Sequence, residues 1–269
     1  MKKILSILGL TTLMALNYAI TQQTQTVMQE QDQIMIEIKE KKEQKKIEPI
    51  EGVIENNTII PGLNGKEIDV NESYKQLKKI GKYNEKYLKY KEIKPEKTIE
   101  NQYQKYIIKG NPEKNTISLI FLVKENDNIN QIINILEKTN TKATFFIEYN
   151  WMKQHPEEIK RIKQLENTIN PLNKNQNYQQ KELLQKDTKY CYAEKENKEN
   201  LKICSKQKHY TIKPNIIAQS LKQIKEKIEP GSLITIKTDK ELELIINYIK
   251  TKGYNIEPLE QHLSEKNTN

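Results

Sequence analysis

The chain has 269 residues, 35% of them hydrophobic and 30% charged, which supplies one modest core and too little apolar material for two large ones. Its 45 Lys and Arg stand against 36 Asp and Glu for a formal charge of +9, yet the basic residues are interleaved with Glu and not gathered into a stripe. That patterning describes a solvated surface and argues against a nucleic-acid groove, so no nucleic-acid partner is expected.

The first element, "MKKILSILGLTTLMALNYAITQQ", puts Lys2 and Lys3 ahead of an apolar run from Ile4 to Ile20. Residues 1–21 therefore read as a signal peptide or signal anchor. The run is near the short limit for crossing a bilayer, and the small-residue pattern before Gln22 is poor, which favours an uncleaved anchor. The two lysines favour a cytoplasmic N-terminus. The expected location is extracytoplasmic, either membrane-anchored through this apolar helix or secreted.

Residues 22–49 are rich in Gln, Glu and Lys and read as a polar tether or stalk, with a small apolar cluster at Ile34 to Ile38 and an interruption at Pro49. Residues 50–112 form a small N-terminal segment. In "GVIENNTIIPGLNGKEIDV", short apolar pairs are separated by Asn and Gly, as in turns and short strands. Tyr74, Leu77, Ile80, Tyr83, Tyr87 and Leu88 then recur at helical spacing, with Asn71 or Glu72 near the cap and Pro95 beyond the end. "QYQKYIIKGNP" reads as a further short strand.

Residues 113–265, with a tail at 266–269, alternate strand and helix. "NTISLIFLV" is a buried strand, "INQIINILEKTN" an amphipathic helix, "KATFFIEYN" a buried strand and "PEEIKRIKQLE" a helix. "KYCYA", "KENLKICSKQ", "IAQSLKQIKEKI", "GSLITIK", "KELELIINYIKTKG" and "YNIEPLEQHL" continue the alternation. Such a pattern means parallel strands covered by helices, with the chemistry at the C-terminal strand ends. An exported chain permits a disulfide between Cys191 and Cys204. A helix returning from Glu196, however, carries Cys204 roughly 12 Å along its axis at about 1.5 Å per residue. A bridge needs Cα atoms within about 7 Å, which tilts the expectation against it.

"NTISLIFLVKENDNINQIINILEKTNTKATFFIEYNWMKQHPEEIKRI", with "EPGSLITIKTDKELELIINYIKTKGYNIEPLEQHL", resembles the polysaccharide deacetylase family, the NodB homology domain, over about Lys114 to Leu263. "KATFF", "PGS" and "KGY" are its most specific pieces. The resemblance implies an α/β fold, a distorted and shortened (β/α) barrel, preceded here by a small mixed segment and an N-terminal apolar helix. In active members it implies metal-dependent removal of N- or O-acetyl groups from polysaccharides. That chemistry takes a carboxylate base, a metal held by one Asp and two His, and a His acid.

Aligned on the resemblance, Leu122 and Val123 fall on the base and the metal-binding Asp, and Lys124 follows them. The two metal-binding His positions fall near Leu172 and Gln176, and the acid His falls on Lys237. The Arg of the third motif is missing from Tyr190-Cys191-Tyr192-Ala193, and "HYTIKPN" has no acidic fourth motif. His155, His209 and His262 read as surface residues. No catalytic residue, metal ligand or cofactor is therefore expected. Glu148, Tyr149, Trp151, Tyr190, Tyr192 and Lys237 are the candidate ligand contacts at the strand ends. The expectation is an inactive deacetylase-like protein that binds cell-wall glycan or an anionic wall polymer, or acts as an envelope scaffold with a protein partner at Ile59 to Pro95. The alternative is a metal-dependent carbohydrate deacetylase with a displaced site built on Glu125, Asp127 or Glu148.

Overall fold

A computed structural model describes residues 29–172 and 188–267. In chain order the elements are α1 (Gln33–Lys45), β1 (Val53–Glu55), β2 (Thr58–Ile60), β3 (Gly65–Ile68), α2 (Val70–Ile80), β4 (Tyr90–Ile93), β5 (Tyr106–Ile107) and β6 (Thr116–Val123). They continue with α3 (Asn130–Lys138), β7 (Thr144–Ile147), α4 (Tyr149–Gln154), α5 (Pro156–Gln164), β8 (Thr168–Pro171), β9 (Tyr190–Tyr192), α6 (Lys198–Lys206) and β10 (Tyr210–Ile212). Last come β11 (Ile216–Ala218), α7 (Leu221–Lys227), β12 (Leu233–Ile236), α8 (Leu242–Thr251), β13 (Asn255–Ile256) and α9 (Leu259–His262).

The chain divides into two compact units. The smaller joins the described residues up to Pro49 to Gly65–Ile93, and the larger joins Ile50–Asn64 to the residues from Lys94 onward. The segment 50–112, read from sequence as one piece, is thus shared between them.

In the smaller unit the stretch read as a tether or stalk folds as α1, because Asp32 caps it by accepting from the Ile34 amide and Ile34, Met35 and Ile38 are buried along it. Ile34 and Ile38 pack with Ile68, Leu77 and Leu88. The helix expected to run on through Leu88 stops at Ile80. Asp69, not Asn71 or Glu72, caps its start, and Gly81 at φ +80° ends it by adopting the left-handed conformation that glycine tolerates without steric cost. A 3-10 turn at Glu85–Tyr87 and the β3–β4 antiparallel pair follow.

The larger unit is a distorted barrel. One sheet has the order β11-β12-β6-β7-β8, every pair parallel. The other has the order β1-β2-β5-β10-β9, parallel apart from the β1–β2 hairpin. Strands from 50–64 and 94–112 therefore complete a barrel expected to begin near residue 113.

Two cores result from strand alternation. Leu119, Phe121 and Val123 of β6 face the helices and pack with Ile133, Trp151, Ile162 and Ile246. Ile120 and, half-buried, Leu122 face the barrel interior with Phe146, Tyr192, Ile212 and Leu233.

Along one edge, β6 changes partner. Its C-terminal half pairs with β7, whereas Thr116 and Ile117 pair with β13. The carbonyls used there, Asn115, Ile117 and Val123, are all odd-numbered and so lie on one edge, while Thr116 and Ser118 bond toward Gly231 and Ser232 on the other. Among the described residues no helix is long and apolar enough to cross a membrane, and the apolar run at 1–21 lies outside them.

Candidate functional site

The C-terminal ends of β6, β7, β8, β9 and β12 bring together the residues that the alignment placed on catalytic positions. Leu122 projects into the interior and, like Leu172, packs against the cluster that holds Phe146 and Tyr192, so an apolar wall stands where the resemblance sets a base. Val123 points the opposite way. Its side chain is fully buried beneath the helices, so a ligand at this position would have to leave the outer core before reaching a metal at the strand ends. Gln176 lies outside the described residues.

Lys237, at the end of β12, places Nζ 3.0 Å from Glu194 Oε2, and both side chains are substantially exposed. Below them the Tyr192 hydroxyl and Thr235 Oγ1 share a hydrogen bond of 3.1 Å. Burial raises the pKa of the Tyr192 hydroxyl, an effect that this hydrogen bond partly opposes. The Tyr190 hydroxyl is pushed further up, first by burial and then by Glu260 and Tyr210. Neither phenol is suited to act as a base near neutral pH.

The acids that could have rebuilt a displaced site hold the loop after β6. Asp127 Oδ2 accepts from the Lys124 amide at 2.8 Å, and Glu148 Oε2 accepts from the Glu125 amide at 2.9 Å. Asn150 donates to Glu125 at 3.3 Å. Among the described residues no group of three His, Cys, Asp or Glu is placed to hold a metal ion. The donor set that the described residues offer at these strand ends, an aliphatic wall beside a lysine amine, does not fit the divalent metal of active deacetylases.

Of the six candidate ligand contacts, Glu148, Tyr149 and Lys237 reach solvent, while Trp151, Tyr190 and Tyr192 are buried. Trp151 is not a platform at the strand ends, because the chain after Ile147 turns into α4 where an extended run to Asn150 was expected. Its indole N–H donates to the Asp127 carbonyl at 2.8 Å and its ring stacks on His155, with centroids 4.4 Å apart. Tyr190 and Tyr192 point into the barrel because their strand is an internal wall of the second core.

Cys191 and Cys204 form a disulfide with Cα atoms 6.4 Å apart, contrary to the expectation. In fact α6 begins only at Lys198, after a short loop, and runs back so that its last turn returns to the level of Cys191.

Two histidines expected at the surface are buried. His209 is 6% exposed ahead of β10, and His262 is completely buried. Ser118 Oγ donates to the Glu257 carbonyl at 2.6 Å, so at 2.7 Å it accepts from the Nδ1–H of His262. This fixes the tautomer and leaves Nε2 without a partner, facing Gly110, where an added Cβ would sit 2.0 Å away. Burial, followed by the charge of Lys114, lowers the pKa of His262 to about 3. The signal was in the sequence, since Leu259, His262 and Leu263 share the inward face of the last helix.

Residues 109–202 match the family model described as polysaccharide deacetylase. The chain is 34% identical over 152 residues to the uncharacterized protein YlxY of Bacillus subtilis, covering 55% of this chain and 48% of that protein. It thus spans about half the length of the curated relative it matches. The wild-type BA3943 structure, a CE4 family pseudoenzyme from Bacillus anthracis, superposes with a TM-score of 0.65 at 24% identity, over 88% of this chain and 97% of that one. A BA3943 mutant described as having restored enzymatic activity gives a TM-score of 0.66 at 23% identity, over 88% and 100%. At these identities the superpositions establish the fold alone, and the polysaccharide deacetylase model matches a stretch that lies within the larger unit.

Proposed function

We propose that this chain is an extracytoplasmic, deacetylase-like protein that binds cell-envelope glycan without hydrolysing it. The observation that carries this reading is the packing of Leu122 and Leu172 against the apolar cluster of Phe146 and Tyr192 at the end of the strand that supplies the base and a metal ligand in active members. Half-buried Glu148 and Tyr149 and exposed Lys237, at the ends of β7 and β12, are the proposed glycan contacts. Export is supported by the apolar run at Ile4 to Ile20 and by the Cys191–Cys204 disulfide, a bond that persists in oxidising compartments. The description of BA3943 as a pseudoenzyme accords with loss of catalysis on this fold.

The test uses the purified full chain. Elemental analysis for zinc, nickel and cobalt, together with acetate release from acetylated chitooligosaccharides, is expected to show neither metal nor product, while co-sedimentation with purified peptidoglycan is expected to show retention that falls in Lys237→Ala. Metal-dependent acetate release would overturn the inactive reading, and failure to sediment with the wall would overturn glycan binding.

A further inference from the structure

The partner change along β6 leaves an opening in the sheet. Because β13 occupies the edge beside Thr116 and Ile117 and β7 takes over only from Ile120, the two do not abut, and a cleft of about 660 Å³ lies at the N-terminal strand ends, away from Leu122 and Lys237. Its volume falls within the range of roughly 300–1,000 Å³ typical of small-molecule sites. One wall comes from the turns before β7 and β8, the other from the end of α8, β13 and the start of α9.

The lining has two properties. The first is charge balance: Lys142 is ion-paired with Glu166, and Lys250 donates to the Thr139 carbonyl, so neither ammonium is held ready for an anion, while Glu257 adds a further negative charge. The second is unspent neutral hydrogen-bonding capacity. The side chains of Asn140, Asn255 and Gln261 are exposed and make no hydrogen bond within the described residues, and the half-buried Tyr254 supplies a ring beside them. The backbone adds to this capacity. Asn255 and Glu257 donate to β6, so the N–H and C=O of Ile256, which alternate with them, face the opposite edge, where β13 has no strand among the described residues.

We infer that this cleft, at the end of the barrel opposite the lost catalytic site, binds a neutral N-acetylated glycan chain. Carboxamides beside an aromatic ring match the hydroxyls and apolar faces of sugars, the Ile256 backbone pair matches the donor and acceptor of an acetamido group, and the absence of a free cation in the lining disfavours an anionic wall polymer. The inference rests on the glycan-binding reading above and gives it a second location.

The experiment titrates the full chain with a β-linked N-acetylglucosamine tetramer and, separately, with polyglycerol phosphate. The tetramer is expected to bind, Asn255→Ala and Gln261→Ala are each expected to weaken it by about fivefold, the effect of one lost hydrogen bond, and polyglycerol phosphate is not expected to displace it. Both positions are exposed, and Asn140→Ala on the facing wall repeats the measurement independently. Tetramer and peptidoglycan binding that is unchanged in all three variants, or is lost only with Lys237→Ala, would overturn the cleft and leave wall binding intact. Displacement by polyglycerol phosphate would overturn the neutral ligand, and no binding by the wild type to tetramer or peptidoglycan would overturn both readings.

Discussion

At the C-terminal end of β6, Leu122 packs against the apolar cluster that holds Phe146 and Tyr192, and Asp127 and Glu148 nearby are occupied with backbone amides. Toward the N-terminal end of the same strand, Ser118 links Glu257 to a buried His262, and an open polar cleft lies beside β13. In α/β barrels the usual distribution is the reverse, with reactive groups at the C-terminal ends and stabilising ones below. The contrast shows how one strand can carry opposite environments: the interior core reaches up to its C-terminal end, while polar groups gather toward its N-terminal end.

The largest expected effect distinguishes two neighbours on β6. Val123→Asp places a carboxyl in the fully buried outer core and should destabilise the protein by about 3 kcal/mol or more, whereas Leu122→Asp, half-buried at the rim, should cost distinctly less. Urea unfolding of both variants decides it, and equal costs would break the assignment of the two side chains to different cores. Phe146→Ala should cost about 3–5 kcal/mol by the same measurement, since its ring is fully buried in the apolar wall.

The lower end has a pH signature. The folded pKa of His262, about 3, lies below its ordinary 6.5, so between these values the unfolded chain binds a proton that the folded chain refuses. This contribution to stability is complete above pH 6.5 and falls as pH drops through the window, by up to about 1.4 kcal/mol per pH unit. Thermal unfolding between pH 7 and 5 should therefore fall less steeply in His262→Gln than in the parent, and parallel profiles would contradict the buried neutral imidazole. The smallest effect belongs to the exposed Lys237–Glu194 pair. Lys237→Ala should change unfolding free energy by less than about 1 kcal/mol, so any loss of wall binding in that variant reports on the surface and not on the fold.

The parallel framework was legible because its signals are local. "NTISLIFLV" and "GSLITIK" are continuous apolar runs, and "INQIINILEKTN" carries its apolar residues at helical intervals. What escaped depended on distant pairing. The disulfide needs the return direction of α6, the burial of His262 needs Ser118 from 144 positions earlier, and the pairing of β2 with β5 and of β5 with β10 draws a stretch that composition assigns to a separate segment into the main sheet. The end of α2 at Gly81 is hidden in the sequence because Tyr83, Tyr87 and Leu88 keep a helical interval beyond it.

One property of β6 bears on how such a chain can change over time. Odd positions from Ile117 to Val123 serve the outer core, even positions serve the interior, and a single edge is divided between β13 and β7. A substitution at a single position therefore alters one face and leaves the other in place. A one-residue insertion or deletion within Thr116–Val123 would instead exchange the two faces beyond it, turning Phe121 inward and Ile120 outward, and would shift both partners on that edge out of register. The strand is therefore free in spelling and fixed in length.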